Sequence, residues 1–121
     1  MKYLFFISAL LLTVNAFSQK KVLYDKAEDV KKMAAKDFEK AMSVPDGELY
    51  LFATENEITG KYTFKISIGL KNKVTSVFVQ EREGGNISMQ NKVKDAVKAF
   101  EFSFKVPKGK HYNMIYTFNF K

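Results

Sequence analysis

The sequence predicts an α+β domain: a mostly antiparallel sheet of about four strands with two helices on one face, in the order α-β-β-β-α-β. Three observations predict it. Two segments carry apolar residues at helical spacing, and several others alternate with period two. Between them lie short clusters of Pro, Gly, Asn and Asp, the residues that turn a chain.

The first helix is expected from Asp25 to Met42, where Ala27, Val30, Ala34, Phe38 and Ala41 fall close to one face and lysines cover the others. Asp25 followed by Glu28 reads as a capping box with Asp in place of Ser or Thr. Pro45-Asp46-Gly47 then imposes a turn. Glu48 to Thr54, rich in aromatics, reads as a short strand. From Lys61 to Leu70 the alternation is clean, with Tyr62, Phe64, Ile66 and Ile68 on one side and Thr63, Lys65 and Ser67 on the other. The tight turn Lys71-Asn72-Lys73 returns the chain as the β-branched strand Val74 to Arg82, an antiparallel hairpin. Gly84-Gly85 relaxes the corner into a second helix, expected from an N-cap at Ser88 to Phe100 with Met89, Val93, Ala96 and Val97 on one face. After the loop Pro107 to Lys110 the chain closes on an alternating strand, Tyr112 to Phe120.

Ahead of these elements, Lys2 precedes the apolar run Leu4 to Val14, and small residues stand at Ala16 and Ser18. This is the order of a cleavable secretory signal, residues 1–18, cut after Ser18 or, as second choice, after Ala16. As a helix, residues 3–14 would span about 18 Å against a hydrocarbon core of about 30 Å, so no stable membrane span is expected after cleavage. With 0 Cys, neither a lipid-anchoring cysteine nor a disulfide framework is present. Residues 19–121 then form a single α+β domain, expected in a periplasmic or secreted location.

The net charge is +7, to which residues 1–18 contribute only Lys2. Such a balance suits a solvated lysine surface or an anionic envelope glycan. Arg82 is the only arginine, and nucleic-acid readers rely on bidentate arginine contacts, so nucleic acid is set aside as a partner.

The catalytic inventory is thin. His111 is the single histidine and has no partner nearby in sequence, so a strand-end role is the plainer reading. Glu55/Glu57 and Glu81/Glu83 lie at turns or strand ends among lysines, and Gly84-Gly85 lacks the flanks of a phosphate loop. Neither an enzymatic activity nor a cofactor or metal is expected. The strand 112–120 draws more interest. Between its apolar positions stand Asn113, Ile115, Thr117 and Asn119, none charged. Placed at a sheet edge, such a strand lacks the charges that discourage strand addition. The candidate partner-binding residues are therefore Tyr112, Asn113, Met114, Ile115, Tyr116, Thr117, Phe118 and Asn119. Their expected occupant is an extended peptide of an envelope protein, or a twin subunit in a homodimer.

Residues 61–120 also carry a run of motifs: YTFKISIGL, a Lys-Asn-Lys turn, VTSVFVQER, NKVKDAVKAF, the Phe-rich link FEFSFKVPKGK and the closing YNMIYTFNF. Phe102 and Phe104, then Pro107 and Gly109 before a strand ending Phe-Asn-Phe, resemble the TonB C-terminal domain family. Energy-transducing members of that family carry an uncleaved anchor and a long proline-rich spacer, whereas this chain has 2 Pro. The resemblance thus implies a periplasmic binding module docking through strand 112–120. The alternative is a small secreted inhibitor or ligand-binding protein, helix on sheet in a cystatin-like manner.

Overall fold

The computed structural model describes residues 21–121, so the expected signal segment 1–18 lies outside the described residues. The elements are β1 (Val22–Leu23), α1 (Ala27–Ala41), α2 (Glu48–Glu55), β2 (Gly60–Gly69), β3 (Lys73–Glu83), α3 (Ile87–Lys98), β4 (Phe104–Lys105) and β5 (Tyr112–Phe120). The α+β class stands, with two corrections. The main sheet has three strands, in the order β3-β2-β5, and Glu48 to Thr54 is helical.

That helix, α2, forms where aromatic content suggested a strand because its burial has helical spacing. Leu49 and Ala53, four apart, are buried, while Leu51 and Thr54 face outward. Gly47 is its N-cap, and a Cβ there would lie 2.7 Å from the Ser43 carbonyl oxygen and closer still to that of Ala41, so only glycine fits.

The helix starts also differ from expectation. The N-cap of α1 is Lys26, without a side-chain cap, and Asp25 is held differently: its carbonyl accepts a 2.6 Å bond from the Tyr112 hydroxyl. Glu28 and Asp29 in the first turn still complement the helix dipole. For α3 the cap is Asn86, whose side-chain oxygen accepts the Met89 N–H at 2.8 Å, and Ser88 falls inside the first turn. Gly84 and Gly85, at φ +71° and +59°, turn the chain so that Asn86 arrives extended, in capping geometry.

β2 is the central strand and pairs antiparallel on both sides. Its Tyr62, Phe64, Ile66 and Ile68 are buried, and all three helices bring their apolar residues to the same core. Phe38 of α1 lies at the middle of it, with ring centroids of Phe100, Phe102, Tyr116 and Phe118 at 4.9 to 5.3 Å. Such ring pairs contribute about 0.5–1.5 kcal/mol each beyond burial. The Phe-rich link is pinned from three directions. Val22 and Leu23 pair with Phe104 and Lys105 in a short parallel ladder. The Phe102 N–H bonds the Asn72 carbonyl at 2.9 Å, and Ser103 is held by the Asp37 carboxylate at 2.7 and 2.8 Å. The other face of the sheet carries Thr63, Lys65, Ser67, Phe78, Ile115 and Thr117, and among the described residues no helix lies over it.

Candidate functional site

β5 is the outer strand of the sheet. It pairs with β2 from Tyr112↔Ile68 to Phe120↔Gly60 in unbroken register, and among the described residues no strand lies on its other side. Its pleat divides the eight candidate residues. Tyr112, Met114 and Phe118 are buried and Tyr116 is half-buried, whereas Asn113, Ile115, Thr117 and Asn119 are exposed. The buried set anchors the strand to the core, so a partner would meet the outer backbone edge and the exposed set.

The opposite edge, β3, is built differently. Register shifts between Thr63/Phe64 and Ser67/Ile68 give β3 two bulges, and its end carries Glu81, Arg82 and Glu83. Its first residue, Lys73, also bridges to Glu101. Bulges, charge and partial cover are the usual defences of an edge strand. β5 has no bulge and no charged residue along its nine positions.

Beside β5 runs a groove of about 540 Å³. Lys31, Lys32 and Ala35 of α1 form one wall, and Lys65 of β2 with Met114 and Tyr116 forms much of the rest. Among the described residues no carboxylate lines it. Burial, and after it the negative charge of Glu39, pushes the Tyr116 phenol above its ordinary pKa. On the open face Thr63 and Thr117 share a 2.8 Å hydroxyl bond, and the Ser67 hydroxyl donates to the Asn113 side-chain oxygen. These bonds hold the Asn113 and Thr117 side chains toward β2 and away from the outer edge of β5.

The α1 lysines were not legible as part of this site. Helical spacing marks Lys31 and Lys32 as outward-facing, but only the packing of α1 on β5 brings them to the strand.

The other candidates stay apart. His111 is exposed just before β5, its ring against Gly69, where an added Cβ would lie 2.6 Å from Nδ1. Glu83 reaches Lys61 at 3.9 Å with both side chains exposed, and Glu57 lines a separate cavity. That cavity, about 560 Å³, lies between α2 and the end of β5, with Met42, Tyr50, Ile58 and Phe120 in its walls. Among the described residues no cluster of His, Cys, Asp or Glu could hold a metal ion, and no helix is long and apolar enough to cross a membrane.

Compared with protein-family models, with curated proteins and with solved structures, the chain finds no match in any of the three. The resemblance of residues 61–120 to the TonB C-terminal domain family therefore rests on its own motifs.

Proposed function

We propose that this domain is a non-enzymatic interaction module of the cell envelope that captures an extended peptide of another envelope protein by strand addition along β5. The observation that carries the reading is the contrast between the two sheet edges. β3 is bulged and charged, while β5 offers nine uncharged residues in continuous register with one side unpaired among the described residues. Strand addition draws affinity from main-chain hydrogen bonds and specificity from the side-chain sites next to them. The export signal expected at residues 1–18 would place the module outside the cytoplasm, and the resemblance of residues 61–120 points the same way.

The test is an amide-shift titration of the labelled protein with a nine-residue peptide of alternating Thr and Val, alongside the same peptide with alternate backbone nitrogens methylated. Shifts are expected along Tyr112 to Asn119, and methylation should weaken binding about tenfold or more by removing ladder hydrogen bonds. An unperturbed β5, with another surface responding, would end the proposal. The second reading, a ligand-binding protein of helix-on-sheet architecture, is favoured by the cavity beneath α2, whose volume suits a small molecule. Under that reading, shifts induced by small apolar compounds would centre on Ile58 and Phe120.

A further inference from the structure

The groove beside β5 adds a chemical preference, one that rests on the strand-addition reading. We propose that the captured segment is acidic, with carboxylates set against Lys31, Lys32 and Lys65 and an apolar residue between them seated on Ala35, Met114 and Tyr116. The strand itself is uncharged, so its backbone edge is neutral toward any sequence. The charge comes from its neighbours. Two lysines on α1 and one on β2 flank it from opposite faces of the sheet, and among the described residues no carboxylate lines the groove between them. All three lysines are exposed, free to follow a ligand's charge at little desolvation cost. The apolar floor lies between these charges, a pattern met by a peptide that alternates acidic and apolar positions. Glu39 follows Phe38 in α1, and Phe38 packs on Tyr116 and Phe118, so this acidic position lies toward the C-terminal half of β5. The carboxylates belong toward the Asn113–Ile115 half of β5, away from its C-terminal half.

The same arithmetic of charge disfavours a second copy as occupant. Tyr112 to Phe120 contains no carboxylate and the described lining of the groove has none, so pairing of β5 with itself would bring two sets of lysines together with no carboxylate of strand or groove between them.

Three nine-residue peptides test this, alike in their Thr and Val residues and differing only in two positions occupied by aspartate, asparagine or lysine. Each is titrated into the labelled protein at low and at moderate salt, with β5 amide shifts as the readout. The aspartate peptide is expected to bind about tenfold tighter than the asparagine peptide at low salt, with the lysine peptide weakest and the differences shrinking as salt rises. Lys31→Gln, Lys32→Gln and Lys65→Gln, made together, should erase the preference while the asparagine peptide binds as before. Equal affinity for all three peptides at β5 would overturn the acidic preference and leave strand capture standing. No shift along β5 with any peptide would overturn both. Self-association through β5 that excludes all three would replace the acidic peptide with a twin subunit.

Discussion

The Tyr62 ring is fully buried, yet its hydroxyl reaches the corner between β3 and α3 and donates a 2.6 Å bond to the Thr59 carbonyl. Gly85 makes room for it: a Cβ there, at φ +59°, would fall on that hydroxyl and lie 2.7 Å from the Thr59 oxygen. Burial raises the Tyr62 pKa above its ordinary value, and the nearby Arg82 offsets part of the rise. A raised folded-state pKa means that the folded protein holds this proton more tightly than the unfolded chain does. The resulting stability is fully present below the unfolded value of about 10 and is lost as pH rises through the folded value. Urea unfolding between about pH 9 and about pH 11 should therefore show a steeper loss in the wild type than in Tyr62→Phe, which lacks this phenol. Parallel slopes would show that the phenol titrates alike in both states.

At the scale of elements, the long alternating strands were legible and the short aromatic segment was not. β5 runs over the residues its alternation marks, because burial of one face fixes both its period and its limits. The hairpin strands also fall where expected, but the two bulges in β3 leave no sign in composition, since each depends on how the neighbouring strand twists. Glu48 to Thr54 misleads because Leu, Tyr and Phe suit a strand, while the deciding contacts, Leu49 and Ala53 against the core, are tertiary. The end of α2 shows the strain this arrangement carries. Glu57 sits at φ +54°, just past the helix, while the Ile58 N–H reaches back to the Ala53 carbonyl at 2.9 Å. Glycine usually occupies such a position. Removing a left-handed cost of about 1–2 kcal/mol against a glycine entropy cost of about 0.5–1 kcal/mol, Glu57→Gly is expected to stabilise the protein by about 0.5–1 kcal/mol, read as a higher urea midpoint at unchanged slope. A lower midpoint would mean that the Glu57 side chain contributes more in place than its backbone conformation costs.

At the scale of the whole fold, the described residues place three helices on one face of the sheet and none of them covers the other face or the β5 edge. Half of the candidate site could be read from the chain, because an uncharged alternating strand is a local pattern. Its place at the edge could not, since strand order depends on which partners β2 accepts. The lysines across the groove were equally hidden: Lys31 and Lys32 lie far from β5 in sequence and meet it only through the docking of α1, led by Phe38 against Tyr116 and Phe118.

The single-sided pairing of β5 has a consequence in solvent exchange. In an antiparallel ladder, alternate residues aim both N–H and C=O at the neighbouring strand, and those between aim them away. Amides of β2, bonded on both sides, should exchange with deuterium uniformly slowly. Along Tyr112 to Phe120 the rates should alternate, slow at one residue and fast at the next. The fast set marks the donors still free for a guest strand, and a bound peptide should slow those amides first. Uniform protection along β5 in the free protein would mean that its outer edge is already occupied.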